Sequence, residues 1–148
     1  MKVKDFMIKD VYTLNESDTI KTLLETLSKN KIGGLPIENE NSQLVGIVSD
    51  GDVLRYLNPK TYSSYLMFYK EDIEEIIPNK SKLELKTIMK KHVIALKEDD
   101  SLETALKILS QHHFKKLPVV NKANQIVGII SRGDVIRKIT DKLLHAID

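Results

Sequence analysis

One stretch of about 55 residues occurs twice in the sequence, and this duplication limits the possible folds more than any other feature. Residues 3–57 align with residues 85–139 at a constant offset of 82 without a gap, so that Met7 aligns with Met89. About 23 of the 55 aligned positions are identical, and many of the others exchange one aliphatic residue for another. A unit of this length is marginal as an independent domain. The sequence therefore predicts two copies of one fold that pack on each other with pseudo-two-fold symmetry.

Each repeat has the pattern of a β-α-β-β-α unit, which belongs to the mixed α/β class and more narrowly to the α+β class. Its first apolar segment shows the i, i+3, i+4 and i+7 spacing of one helical face. Two short apolar runs joined by a polar turn then predict a hairpin. In the first repeat the predicted elements are strands at 11–14, 35–38 and 44–48, a helix capped at 17–18, and a helix beginning near Asp50. Their counterparts follow 82 residues later, including a first strand at 93–96 and a helix capped at 100–101.

The repeats divide the chain into three parts. Residues 1–57 contain the first repeat, residues 58–80 an aromatic-rich linker with a predicted helix, and residues 81–148 the second repeat with a C-terminal helix. Four of the eight aromatic residues lie in the linker, at spacings of three and four that predict one helical face. They are expected to pack on the domain or, alternatively, to cover a ligand cleft or contribute to a dimer contact. These residues are Tyr62, Tyr65, Phe68 and Tyr69.

Composition places the chain among globular proteins and excludes several kinds of chemistry. Hydrophobic residues make up 41% and charged residues 30% of the chain, which is enough apolar material for a core. The absence of cysteine excludes disulfides, thiolate catalysis and Cys-ligated zinc or iron–sulfur clusters. No apolar run reaches the roughly 18–20 residues of a membrane span, and the charged N-terminus is unlike a signal peptide. We therefore expect a cytoplasmic protein without a membrane partner.

No sequence motif indicates catalysis or a metal site. The four histidines lack the spacing of zinc ligands, and P-loop, Gly-x-Gly-x-x-Gly and Gly-x-Ser-x-Gly motifs are all missing. We therefore expect a protein that is not an enzyme and has no catalytic cofactor. Residues 81–148 contain 13 basic and 8 acidic residues, so the basic surface that could meet a phosphate group or a nucleic acid is concentrated there.

The motifs of the two copies resemble those of the cystathionine-β-synthase (CBS) domain, a tandem pair of which is called a Bateman module. Each copy contains Leu-Pro and an aliphatic residue, then a polar turn, then Gly-Ile-aliphatic-Ser-x-Gly-Asp. The resemblance covers residues 3–57 and 85–139. It implies a non-catalytic regulatory module that binds AMP, ADP, ATP or S-adenosylmethionine in clefts between the repeats. It also implies a homodimer and a conformational change that is passed to an effector protein.

The residues at the end of the last strand of each repeat suit such a ligand. Ser49 and Asp52 in the first copy, like Ser131 and Asp134 in the second, lie where a strand leads into a helix, and helix N–H groups favour anions there. An ionised aspartate can accept hydrogen bonds from the two hydroxyls of a ribose, and the preceding aliphatic residues can contact adenine. The same Ser-x-x-Asp spacing is that of a capping box, which explains these residues without a ligand. The two roles are compatible.

By the resemblance, each cleft combines the acidic corner of one repeat with the first strand and the segment before Leu-Pro of the other. Two glycines then allow close approach of a ligand in one cleft. Two lysines favour phosphate in the other, unless they are only a solvated basic pair. The negative charge of Asp50 opposes anion binding in that second cleft, so the residues do not decide which of the two clefts a ligand occupies. The cleft of Asp134 is predicted to contain Ser131, Arg132, Ile129, Lys9, Val11, Tyr12, Ile32, Gly33 and Gly34. The cleft of Asp52 is predicted to contain Ser49, Ile47, Ile94, Phe114, Lys115 and Lys116.

A second interpretation keeps the duplicated fold but not the small ligand. In this interpretation the chain is a ligand-independent dimerisation scaffold, or a nucleic-acid-binding module that uses the basic residues of 81–148. Nucleic-acid binding would weaken steeply with salt. Saturable binding of an adenosyl compound favours the regulatory interpretation instead.

Overall fold

The computed structural model of the chain describes residues 1–63, 68–111 and 115–145. This part of the chain forms two three-stranded sheets, one two-stranded sheet and five α-helices. The mixed α+β composition confirms the predicted fold class. In the same residues, no helix combines the length and the apolar character that a membrane span requires.

The first repeat contains the predicted sequence of strands and helices. They are β1 (Leu14–Asn15), α1 (Ile20–Asn30), β2 (Gly34–Glu38), β3 (Leu44–Ser49) and α2 (Asp50–Leu57). β2 is the central strand of the sheet, and β1 pairs with it in parallel. The helix α1 begins after Thr19, whose hydroxyl accepts a hydrogen bond from the Thr22 backbone N–H at 3.3 Å. It ends at Lys31, which has a left-handed conformation with φ of 52°.

The second repeat has the same order of elements. The linker contains β4 (Thr61–Ser63), β5 (Phe68–Lys70) and α3 (Ile73–Lys80). The elements of the second repeat are β6 (Leu96–Lys97), α4 (Leu102–Gln111), β7 (Lys116–Val120), β8 (Ile126–Ser131) and α5 (Arg132–His145). β6 is parallel and β8 antiparallel to the central strand β7, and Lys116 lies opposite Ser131 in that register. With 14 residues, α5 is longer than the 8-residue α2.

Two predictions near the start of the repeats are wrong in their boundaries. The strands predicted at 11–14 and 93–96 are observed only as the two-residue strands β1 and β6. The N-cap of α1 is Thr19 and not residues 17–18. Asp18 has another role, because its carboxylate accepts a hydrogen bond from the Asn15 backbone N–H at 2.8 Å and closes the turn after β1.

The helix predicted across the linker aromatics is also wrong for the residues that the structure describes. β4 (Thr61–Ser63) and β5 (Phe68–Lys70) form an antiparallel pair in which Tyr62 lies opposite Tyr69. A helix, α3, occupies only Ile73–Lys80. Aromatic residues favour strands, so their spacing of three and four was not sufficient to specify a helix. Tyr65 lies outside the described residues.

The compact units of the structure combine segments of both repeats. The first-repeat unit contains residues 13–39 and 45–92, and the second-repeat unit contains residues 1–12, 40–44 and 93–148. Each core therefore includes a segment that precedes the first strand of the other repeat. The buried core of the first-repeat unit consists of Ile20, Leu23, Leu27, Leu35, Ile37, Val48, Val53 and Leu85. The buried core of the second-repeat unit consists of Val3, Leu96, Ala105, Leu109, Leu117, Val119, Ile130 and Val135.

Residues 1–12 and 85–92, which pack in the unit of the opposite repeat, are called the exchanged segments below. Short 3-10 helices lie near their start, at Val3–Asp5 and Leu85–Thr87. The Leu85 N–H donates to the Asp18 carbonyl at 2.8 Å, and the Val3 N–H donates to the Asp100 carbonyl at the same distance. Each segment then runs beside the last strand of the sheet. There, Gly46 leaves room for it: a Cβ at this position would lie 2.6 Å from the Met89 Sδ and 3.1 Å from the Lys90 carbonyl oxygen.

Replacing Leu85 by alanine is expected to destabilise the first-repeat unit, although the residue belongs to the second repeat in sequence. Leu85 is fully buried, and a Leu→Ala change in a core costs about 2–5 kcal/mol. Hydrogen exchange should therefore accelerate at Leu23 and Val48 before it accelerates at Ala105 and Ile130. Leu83→Ala, at a 42% exposed position in the same segment, is the matched control and should leave the exchange rates near those of the wild type. Equal acceleration in both cores would contradict the assignment.

Candidate functional site

The last strand of each repeat passes directly into a helix, and the predicted Ser and Asp residues lie at these junctions. In the Asp52 corner (residues 49–55), Ser49 is the N-cap of α2, and its hydroxyl accepts a hydrogen bond from the Asp52 N–H at 3.3 Å. The Asp52 Oδ2 in turn accepts hydrogen bonds from the Ser49 backbone N–H and hydroxyl, both at 3.0 Å. The capping-box interpretation of the Ser-x-x-Asp motif is thus confirmed in this corner.

The Asp134 corner (residues 131–137) has the same hydrogen bonds. The Asp134 Oδ2 accepts from the Ser131 backbone N–H at 2.8 Å and from its hydroxyl at 2.9 Å. The Ser131 hydroxyl accepts from the Asp134 N–H at 3.2 Å. In both corners the aspartate side chain is only 8% exposed, and the N–H and hydroxyl of the serine fix the position of its Oδ2.

An arginine one helical turn further along binds the second oxygen of each aspartate. Arg55 donates to the Asp52 Oδ1 at 2.7 Å, and Arg137 donates to the Asp134 Oδ1 at 2.7 Å. The arginine side chains are 68% and 71% exposed. Neither arginine was predicted as a site residue, although the Asp-x-x-Arg spacing occurs in both copies and predicts such pairs.

The carboxylates of both corners are held in the ionised form. Burial alone would raise the pKa of Asp52, but hydrogen bonds from Ser49 and Arg55, together with the charge of Lys90, outweigh burial and lower its pKa below 3.8. The Lys90 Nζ lies 3.7 Å from the Asp52 Oδ1. The pKa of Asp134 is lowered in the same way, since hydrogen bonds from Ser131 and Arg137 and the charge of Arg137 outweigh its burial.

The aliphatic residues that precede the corners lie on the sheet face away from the core. Val48 and Ile130 are fully buried in the two cores, so Ile47 and Ile129, one residue earlier, point to the opposite face. Both are half-buried. The exchanged segments pair with them: Ile129 exchanges two 2.9 Å backbone hydrogen bonds with Ile8, and Ile47 bonds to Lys90 at 2.9 and 3.0 Å.

The residues before Leu-Pro lie beside the corner of their own unit. The Gly33 carbonyl accepts a hydrogen bond from the Asp50 N–H at 2.8 Å, and a Cβ on Gly34 would lie 3.2 Å from the Ser49 Cα. The equivalent positions of the second-repeat unit hold Lys115 and Lys116. The Lys115 carbonyl accepts from the Arg132 N–H at 3.2 Å, and Lys116 lies opposite Ser131 in the sheet.

The other predicted site residues have different degrees of exposure. Tyr12 and Ile94, which are equivalent in the two repeats, are 52% and 39% exposed. Lys9 is exposed and Val11 is half-buried. Ile32 packs against the core of the first-repeat unit. Phe114 lies outside the described residues, and the assignment of these side chains to two clefts stays a prediction.

The chain is similar to proteins that contain paired CBS domains. The family model of the CBS domain matches it twice, over residues 3–59 and 85–141. It is 30% identical over 149 residues to the chloroplastic CBS domain-containing protein CBSX1 of Arabidopsis thaliana, a match that covers 91% of this chain and 62% of CBSX1.

Two similar solved structures contain bound ligands. One is CBSX2 in complex with AMP, with a TM-score of 0.72, 26% identity, and coverage of 95% of this chain and 96% of that one. The other is the CBS domain pair of protein MJ0100 in complex with 5′-methylthioadenosine and S-adenosyl-L-methionine. It has a TM-score of 0.67, 25% identity, and coverage of 96% and 98%.

Asp134→Asn is expected to destabilise the protein at neutral pH and to have a smaller effect in acid. Because the folded-state pKa of Asp134 lies below 3.8, ionisation contributes stability that is fully present above about pH 5. That contribution disappears as the pH falls through 3.8 to the folded-state pKa. Urea unfolding at pH 7 should show a loss of about 1–3 kcal/mol, and the loss should shrink by about pH 3. The exposed Asp141→Asn on the same helix is the control. A loss that does not change with pH would contradict the prediction.

Proposed function

Because this chain belongs to the CBS-domain family, with one CBS domain in each repeat, we propose that it is a non-catalytic regulatory module that binds an adenosine-containing ligand. The ligand is an adenine nucleotide (AMP, ADP or ATP) or S-adenosylmethionine. One observation carries the proposal: a buried, ionised aspartate is held in the same geometry at both corners. The likeness to structures of CBSX2 with AMP and of MJ0100 with 5′-methylthioadenosine and S-adenosyl-L-methionine supports it.

The carboxylate geometry is suited to a ribose. The Oδ2 of Asp134 is occupied by Ser131, and this fixes the direction of the Oδ1. The partner of the Oδ1, Arg137, is 71% exposed. Because this guanidinium stays mostly in water, two ribose hydroxyls can share the Oδ1 with it, or replace it by supplying the hydrogen bonds that the buried carboxylate would otherwise lose. Asp52 and Arg55 have the same relationship.

Apolar side chains near each corner are proposed to bind the adenine ring. Ile47 and Ile129 lie on the non-core face of the sheet, immediately before the corner serines. Contact with an adenine ring would remove their remaining apolar surface from water. The sequence analysis predicts Gly33 and Gly34 in the Asp134 cleft and Lys115 and Lys116 in the Asp52 cleft. Because their backbones lie beside the corner of their own unit, we propose instead that the two glycines belong to the Asp52 site and the two lysines to the Asp134 site. The other residues expected to complete the sites are those of the sequence analysis: Lys9, Val11, Tyr12 and Ile32 for the Asp134 site, and Ile94 and Phe114 for the Asp52 site.

We assign the output of ligand binding to an effector protein. A ligand that takes the Asp52 or Asp134 Oδ1 releases the guanidinium of Arg55 or Arg137 on an exposed helix surface. The helix then presents a cation that was paired in the empty protein. Ligand occupancy thereby changes the charge that a partner encounters on α2 or α5, and we propose that this movement of the arginine side chain begins the conformational change that is passed to the effector protein.

We also propose that the chain forms a homodimer through the exposed apolar side chains of α2 and α5. Leu54 and Ile136 occupy equivalent positions and are 68% and 62% exposed, and Leu143 and Leu144 on α5 are exposed to a similar degree. Large aliphatic side chains that a helix leaves in water favour an interaction with another protein surface. Two helices with the same exposed position fit a second copy of the chain, because a symmetric dimer uses self-complementary surfaces. The linker aromatics were also considered for a dimer contact, but the structure does not describe their side chains.

Calorimetric titration with AMP, ADP, ATP, 5′-methylthioadenosine and S-adenosylmethionine tests the ligand proposal. At least one compound is expected to bind saturably, and Asp134→Ala or Asp52→Ala should weaken one site by at least about tenfold, since each removes a charged acceptor of hydrogen bonds. Asp141→Ala, which removes an exposed carboxylate from the same helix as Asp134, should bind as the wild type does. The absence of binding heat and of a thermal shift with every compound would disprove the proposal.

The double variant Leu54→Glu, Ile136→Glu is expected to convert a dimer into a monomer, since it places charges in the apolar contact. Sedimentation velocity measures the change, and circular dichroism confirms that the variant is folded. Leu83→Glu introduces the same charge at an exposed leucine outside α2 and α5 and should remain dimeric. A wild-type chain that sediments as a monomer at its highest soluble concentration would contradict the dimer proposal.

A further inference from the structure

The two corners share their hydrogen bonds but differ in charge at four equivalent positions, three of which make the Asp134 corner more positive. Residue 50 is an aspartate where residue 132 is an arginine, and Gly33 and Gly34 are replaced in the second repeat by Lys115 and Lys116. The serine, the aspartate and the arginine of each corner are the same. The difference is therefore confined to residues around a common hydrogen-bonding centre.

The backbone brings the variable positions next to the corner of their own unit. Asp50 is the first residue of α2 and bonds to the Gly33 carbonyl at 2.8 Å, while Arg132 is the first residue of α5 and bonds to the Lys115 carbonyl at 3.2 Å. Lys116 lies directly opposite Ser131, and residues opposite each other in an antiparallel pair have side chains on the same face. The charge difference is thus local to the corners.

One further difference between the repeats makes the Asp52 corner, and not the Asp134 corner, more positive. Lys90, beside Asp52, corresponds to Ile8, which pairs with Ile129 as Lys90 pairs with Ile47. Even with this lysine included, the Asp52 corner has no net formal charge, from Asp50, Asp52, Arg55 and Lys90. The Asp134 corner has a net formal charge of +3, from Asp134, Lys115, Lys116, Arg132 and Arg137.

We propose that the two corners select adenosine ligands by their charge. The Asp134 corner takes a ligand with a 5′-phosphate, and the Asp52 corner takes one without phosphate, such as a nucleoside or its 5′-thioether. The inference rests on the proposed function, because it assigns a ligand class to each of the two ribose sites. Guanidinium and ammonium groups bind phosphate by charge-assisted hydrogen bonds, whereas the Asp50 carboxylate repels it. Arg55 and Arg137 do not discriminate, since both corners have one.

Comparing adenosine with AMP isolates the phosphate contribution, because the two compounds differ only in that group. Asp52→Asn leaves the Asp134 corner intact, and this variant should bind AMP at least about tenfold more tightly than adenosine by calorimetry. Asp134→Asn leaves the Asp52 corner intact, and its two affinities should differ by less than about threefold. Adding Arg132→Asp to Asp52→Asn should bring the affinity ratio close to one. Adding Lys142→Asp, with the same charge change about 15 Å further along α5, should leave the ratio unchanged.

The outcomes separate this inference from the proposed function. If the wild type binds adenosine compounds but the AMP preference is equal in the two Asn variants, or larger in Asp134→Asn, the charge assignment is wrong and the proposed function stands. If the wild type binds none of the compounds, both are wrong. Should an Asn variant fail to fold, Arg132→Asp and Asp50→Arg are made singly in the wild type, at exposed positions. Arg132→Asp must then weaken AMP binding more than adenosine binding, and Asp50→Arg must strengthen AMP binding; the absence of both effects overturns the inference.

Discussion

The exchange of short segments between the repeats is the constraint on which the rest of the structure depends. Val3 and Leu85 are fully buried in cores whose other members come from the opposite repeat. Burying a side chain of this size contributes about 1.5–3 kcal/mol. The same segments continue along the last strand of each sheet, where Lys90 bonds to Ile47 and also approaches the Asp52 carboxylate. A residue of the second repeat therefore contributes to the electrostatics of the corner of the first.

Each corner aspartate has a structural role that prepares it for a ligand. A carboxylate in a capping box is fixed by backbone donors, so binding requires little further ordering of the side chain. Its charge is compensated in the empty protein by an arginine that stays mostly in water. The protein thereby keeps a buried anion stable without closing it off from a competing donor.

The sequence was sufficient to predict the elements and the corners, because the duplicated pattern repeats every local signal. It was not sufficient to predict the exchange. Val3 and Leu85 are both aliphatic and occupy equivalent positions, so either core could accept either residue, and only the tertiary structure distinguishes them. The sequence also could not decide which corner Gly33 and Lys115 lie beside. Their backbone hydrogen bonds to Asp50 and Arg132 join residues that are 17 apart in each copy, and no local pattern predicts a contact over that separation. The linker strands were missed because a spacing of three and four does not exclude strands when the residues are aromatic.

Duplication also explains why the Ser, Asp and Arg of the two corners are identical while the residues around them differ in charge. Ser and Asp form the helix cap and Arg pairs with the Asp, so replacing any of these residues for the sake of the ligand would also cost stability in its own unit. Asp50 and Arg132 are exposed and Gly33 is exposed on the facing segment, so changes there alter charge at little structural cost. Two identical corners would respond to the concentration of one ligand. Corners that accept ligands of different charge respond to two, and any coupling between them must be reciprocal, because each ligand then changes the affinity for the other by the same factor.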